Sequence, residues 1–105
     1  MTEPPKHLNK PGRDFFEQII AEYSIEDSAG IALLTTAAEC LDRMRQAQAQ
    51  IKKYGVQVTD RYGSLKLNPS CGLEKDSRNG FLAALRALNL DLEPLRDGPG
   101  RPGGK

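Results

Sequence analysis

Apolar residues recur along this chain with two periods, and the change of period marks its parts. Phe15, Phe16, Ile19, Ile20 and Tyr23 fall on one face at helical spacing. Asn9 precedes them as a helix N-cap, and Pro11 sits in the first turn, where a missing N–H costs nothing. This predicts a first helix over about 10–23. Ser24-Ile25-Glu26-Asp27 then reads as a capping box, with Ser24 as cap, that starts a second helix over about 25–54. That helix is the spine of the chain. It is rich in Ala, Leu, Gln, Arg and Glu, has no Pro, and has Gly only at Gly30. One apolar stripe reads Leu33, Ala37, Cys40, Met44, Ala47, Ile51, Tyr54, with steps alternating four and three. A second stripe, Ile31, Leu34, Ala38 and Leu41, shares the first half. An arc this wide needs cover on two sides, from the same chain or from another copy. At ~1.5 Å per residue, about 28 helical residues reach about 42 Å, so the rest of the chain must pack along them.

Lys52 and Lys53 fall in its last turn, where cations suit the helix dipole, and Gly55 reads as a left-handed cap. The period then becomes two. Val56-Gln57-Val58-Thr59 and Ser64-Leu65-Lys66-Leu67 alternate apolar and polar around Asp60-Arg61-Tyr62-Gly63, a turn with Asp first and Gly last. A β-hairpin over 56–67 follows, and an isolated hairpin is marginal in water, so it is expected to lean on something. Asn68-Pro69 resembles a cap followed by Pro at the first helical position, opening a third helix over about 69–88. Phe81, Leu82, Leu85 and Leu88 are its inward residues; Gly72 and Gly80 each weaken it by ~1 kcal/mol relative to Ala. The expected fold is mainly α: a helical hairpin (about 10–23 and 25–54), a β-hairpin (56–67) and a C-terminal helix (about 69–88). Residues 1–8 read as a flexible arm, 9–92 as one helical domain, and 93–105 as a flexible Gly/Pro tail.

A chain of 105 residues with 38% apolar content and no Trp has a thin core, which favours self-association. Net charge is only +1, but its distribution is uneven. Between Asp14 and Asp42 there are seven carboxylates and no Lys or Arg; between Arg43 and Arg86 there are nine cations against three carboxylates. This fits two solvated faces. It fits equally a head-to-tail match between neighbouring copies, or a basic face for a polyanion.

Catalytic and metal chemistry find little support. His7, the single His, sits in the arm, which argues against a His-based triad or metal cluster. Cys40 and Cys71 are isolated, and Cys40 falls on the apolar stripe as a small hydrophobe. The tail's Gly/Pro run fails the spacing of a phosphate loop. Glu39 and Asp42, one turn apart, read as a solvated face. No cofactor, metal or catalytic residue is expected, and no apolar run or leader peptide points to a membrane or to export. The dense charges Asp60-Arg61 and Glu74-Lys75-Asp76-Ser77-Arg78 have two readings. One is a salt-bridge cluster that locks the hairpin to the third helix. The other is that Arg61, Lys66 and Arg78, with Lys52 and Lys53, touch phosphates, helped by Lys6, Lys10 and Arg13 of the arm.

The order of these pieces resembles the small terminase subunits of tailed bacteriophages, of the short kind. The resemblance spans roughly Lys6 to Arg96. It rests on Leu33-Leu34-Thr35-Thr36-Ala37-Ala38-Glu39, Val58-Thr59-Asp60-Arg61-Tyr62-Gly63, Asp76-Ser77-Arg78, and Leu88-Asn89-Leu90-Asp91-Leu92-Glu93-Pro94. Gly30, Gly72 and Gly80 depart from the good helix formers expected there. The resemblance implies a non-enzymatic protein of the host cytoplasm that binds double-stranded viral DNA at a packaging site. It implies assembly as a ring and delivery of DNA to the large terminase subunit, which carries the motor ATPase and nuclease. In such an assembly Ile31, Leu34, Ala38 and Leu41 are expected between subunits. No helix-turn-helix for base reading is evident, so phosphate contacts and DNA shape are the expected means of binding. The competing readings are an oligomeric helical adaptor without DNA binding and a small transcriptional regulator.

Overall fold

A computed structural model of the chain describes residues 2–90; the expected tail over 93–105 and the domain edge at 92 lie outside them. The elements are helix α1 (Lys10–Tyr23), helix α2 (Ser28–Tyr54), strands β1 (Gln57–Thr59) and β2 (Leu65–Leu67), and helix α3 (Pro69–Leu88). The architecture is mainly helical, with a two-stranded antiparallel hairpin between the second and third helices, as the sequence predicts.

The corner between α1 and α2 differs in detail from the expected capping box. Ser24 ends α1 in a left-handed conformation, φ 52° and ψ 45°, and donates its N–H to Ile20 O at 2.9 Å. Asp27 is the true cap of α2, and its carboxylate accepts from Gly30 N–H at 2.8 Å. The second helix therefore starts three residues later than Ile25. At its far end Gly55 has the positive φ expected, 90°, but ψ is 168°, so the chain leaves in an extended rather than a left-handed turn.

α3 runs the length of α2, and α1 covers only the first half. On the α3 side the stripe Ala37, Cys40, Met44 and Ala47 is buried. Opposite it lie the buried Ser77 and Ala84 of α3, with Gly80 between them. A β-carbon at Gly80 would stand 3.0 Å from Cys40 Sγ, so glycine permits the close helix approach there. α3 is continuous through Gly72 and Gly80. Leu82 is not inward: it is an exposed residue on the outer side of α3, while Phe81 meets Phe15 of α1 edge-on, ring centroids 5.3 Å apart.

On the α1 side, Phe16, Ile19 and Ile20 close over Leu34 and Ala38, with Leu8 completing the cluster. Burying each of the larger side chains stabilises the fold by about 1.5–3 kcal/mol. Two sequence expectations change here. Leu34, Ala38 and Leu41, with the half-buried Ile31, do not form a face left for a second copy. They are buried within the chain, where α1 and Leu8 close over Leu34 and Ala38. The arm is not free either. Leu8 is only 2% exposed, Arg13 donates to Leu8 O at 2.8 Å, and His7 Nε2 contacts Glu39 Oε2 at 2.7 Å.

What stops α1 halfway is Asp42. The carboxylate reads in sequence as solvated, but it is 7% exposed and sits at the N-terminus of α1. Its Oδ2 accepts from Asn9 N–H and its Oδ1 from Gly12 N–H, both at 2.7 Å. Asn9 occupies the cap position without using its own side chain, because α2 supplies the cap. Gly12 makes this possible: a β-carbon there would lie 2.7 Å from Ala38 O. Past Asp42 the same flank of α2 reads Arg45, Gln46, Ala49, Lys52 and Lys53, and its polar and charged residues leave little apolar surface to bury.

Candidate nucleic-acid interface at the hairpin end

Because α1 begins beside Asp42 and runs back toward the start of α2, the second half of α2 is flanked by α3 alone and leads into the hairpin. In the hairpin, Gln57 pairs with Leu67, Val58 with Lys66 and Thr59 with Leu65. The loop is organised by Asp60, whose carboxylate accepts from Tyr62 N–H at 2.8 Å and Ser64 N–H at 3.0 Å. Its carbonyl accepts from Gly63 N–H at 3.0 Å, and Gly63 has φ 83°, which suits glycine. At the base, Asn68 ties three segments together. It donates its N–H to Val56 O at 2.7 Å and its side-chain amide to Gly55 O at 2.8 Å, while its Oδ1 caps α3 through Ser70 N–H at 2.9 Å.

Directly paired residues share a face of a ribbon. Thr59, Leu65, Gln57 and Leu67 therefore form one face, and Val58 and Lys66 the other. All four residues of the first face are exposed, and no helix makes extended contact with the hairpin. The expectation that it leans on another element of the chain is overturned; only its base is fixed.

The eight cations singled out in the sequence divide into two groups. Lys52, Lys53, Arg61 and Lys66 are exposed and have no carboxylate partner among the described residues. Lys53 Nζ lies 5.2 Å from the Tyr54 ring centre and Arg61 Cζ lies 5.4 Å from that of Tyr62, so the flanking rings orient both charges. All four lie at the end of α2 or on the hairpin. The other group is engaged or remote. Lys10 pairs with Asp14 at 2.9 Å, Arg13 holds Leu8, and Lys6 lies in the docked arm. Arg78 lies mid-helix and grips Glu74 with two nitrogens, Nε to Oε2 at 3.1 Å. The guanidinium holds the Glu74 carboxyl below its ordinary pKa of 4.5, helped by the Gln48 amide and opposed by desolvation; Glu74 raises Arg78 in turn. The expected salt-bridge lock between hairpin and α3 does not form: Asp60 serves its own loop, and Glu74 pairs within its own helix.

Among the described residues, the large apolar side chains left exposed are Tyr54, Val56, Tyr62, Leu65, Leu67, Leu73 and Leu82. All but Leu82 belong to this same end of the molecule. The alternating strand pattern gave the sequence-level signal for Leu65 and Leu67, but it does not say which face is covered. No helix among the described residues is long and apolar enough to cross a membrane. Comparison with family models, curated proteins and solved structures finds no match to this chain.

Proposed function

We propose that the chain is a small terminase subunit. In this reading it is a non-catalytic homo-oligomer, ring-shaped, that holds double-stranded viral DNA in the host cytoplasm. It recruits or regulates the large terminase subunit that carries the motor ATPase and nuclease. The motifs named above and the order of elements support this reading. The observation that carries it is the cluster Lys52, Lys53, Arg61 and Lys66, gathered at one end without a carboxylate partner among the described residues. Cations of this kind on a projecting ribbon suit phosphate, and weak contacts add up across the subunits of an oligomer. This reading leaves Lys6, Lys10, Arg13 and Arg78 outside the DNA face, because Lys10, Arg13 and Arg78 have partners within the chain and Lys6 lies in the docked arm.

The exposed Leu65 and Leu67 support a second reading, an oligomeric adaptor that binds proteins and no DNA. The salt dependence of duplex binding separates the two. For the DNA-binding protein, log K falls linearly with log salt. Replacing Lys52, Lys53 and Arg61 together by Gln lowers the magnitude of that slope by about 2–3 for each subunit in contact with the duplex, close to one for each phosphate no longer neutralised. A wild-type chain without measurable duplex binding at low salt selects the adaptor. A triple variant with an unchanged slope removes this end as the DNA face.

A further inference from the structure

The hairpin carries its exposed apolar face on a cationic end of the molecule. From Lys52 to Lys75 there are five cations and two carboxylates. Leu65 is 67% exposed and Leu67 60%, side by side on one ribbon face with no helix of their own chain packed over them. The opposite end has the converse character. There a groove of about 250 Å³ opens between the start of α2 and the end of α3, lined by Ile25, Ala29, Leu33, Ala87, Leu88 and Leu90. Asp27 stands in its wall, and Glu22 and Glu26 belong to the same corner, with Arg86 of α3 as the local cation among the described residues.

We infer that the hairpin of one copy docks through Leu65 and Leu67 into this groove on a second copy, head to tail. Three observations select that occupant. The hairpin cannot reach the groove of its own chain, because the part of α2 between Leu33 and Tyr54 spans about 30 Å. Pairing of two hairpins face to face brings together two ends that each hold five cations and two carboxylates, whereas head-to-tail docking turns the leucine face to the acidic end and leaves Lys66, on the opposite face of the ribbon, open to phosphate. Nucleic acid engages the cations but offers the two leucines no comparable apolar pocket. The contact is heterologous, so an open assembly keeps one free hairpin and one free groove, at its two ends, until it closes. It supplies the interface that the covered Leu34 and Ala38 do not.

This inference rests on the homo-oligomer in the proposed function and not on its DNA contacts. Sedimentation of the full chain tests it, with two variants at exposed positions. Leu65→Asp/Leu67→Asp disables the hairpin; Ala29→Lys/Ala87→Lys disables the groove. At about 100 µM, where an interface with micromolar Kd is occupied, the wild type assembles beyond its 11.5 kDa monomer. Each variant alone sediments as a monomer with unchanged helix content. An equimolar mixture forms a two-chain species and stops there, because only one good hairpin meets one good groove. A monomeric wild type overturns the inference, as does a hairpin variant that still assembles. A groove variant that still assembles points to hairpin-to-hairpin pairing and equally overturns it. If the full chain is monomeric but a chain ending at Leu90 assembles, the groove belongs to the chain's own C-terminal segment. Duplex binding scored on the same samples keeps the two readings apart: failed complementation with intact DNA binding sinks the docking alone, and the reverse sinks the DNA reading alone.

Discussion

Replacing Asp42 by Ala removes the acceptor of two backbone N–H groups in one step. Asn9 N–H and Gly12 N–H each lie 2.7 Å from a carboxylate oxygen, in a site that leaves Asp42 7% exposed. A hydrogen bond to a charged group contributes about 1.5–3 kcal/mol. Two such bonds, less the relief of no longer burying a carboxylate, leave a loss of about 3 kcal/mol. For a domain of this size, each kcal/mol corresponds to about 4–8 °C in Tm, so the variant melts about 12–24 °C below the wild type. Asp42→Asn falls between the two, because its carbonyl serves one N–H while its amide group faces the other. Gly12→Ala is at least as damaging as Asp42→Ala, since its β-carbon meets Ala38 O at 2.7 Å. Thermal and urea unfolding followed by circular dichroism give these differences. A loss below about 0.5 kcal/mol in Asp42→Ala, the size of an ordinary surface substitution, refutes the role assigned to the carboxylate.

A β-carbon at Gly72 would meet nothing within 4 Å, so Gly72→Ala raises stability by about 0.5–1 kcal/mol in urea unfolding. Gly80 has Cys40 Sγ at 3.0 Å from the same position, so Gly80→Val overpacks the α2–α3 contact and lowers stability by about 1–3 kcal/mol in the same assay. Folded Glu74 titrates below its ordinary 4.5, so its pairing with Arg78 stabilises above that pH and is lost as pH falls through the folded value. Arg78→Ala moves the Glu74 titration upward in carboxyl NMR, and Glu74→Gln flattens the acid limb of stability against pH.

The elements themselves were legible in the sequence because each carries a local signal. Phe15 to Tyr23 keep helical spacing, Asn68-Pro69 marks a helix start, and Asp60 and Gly63 define the hairpin loop. Partnerships between distant residues carry no such signal. Asp42 serves Asn9 and Gly12, about thirty residues away, and beside Glu39 it reads as an ordinary surface acid. The same is true of Leu8, which looks like part of a polar arm until Phe16 and Leu34 close over it. The two apolar stripes of α2 showed that cover was needed on two sides, but not that α1 and α3 supply it within one chain. Gly12, directly after Pro11, does not stand out in the sequence, and only the position of Ala38 gives it meaning. For the candidate cations, residue type alone favoured exposure. Their partners left no mark in the sequence, and those partners decide that Lys52, Lys53, Arg61 and Lys66 are available while Arg78 is held.

The cationic end is where DNA binding is expected, and backbone amide NMR during addition of a duplex reports on it residue by residue. Shifts confined to the last turn of α2 and the hairpin, from Lys52 through Leu67, and reversed by added salt, are the predicted result. An unchanged spectrum at low salt, or shifts centred on α1 and the acidic corner around Asp27, contradicts the proposed DNA face.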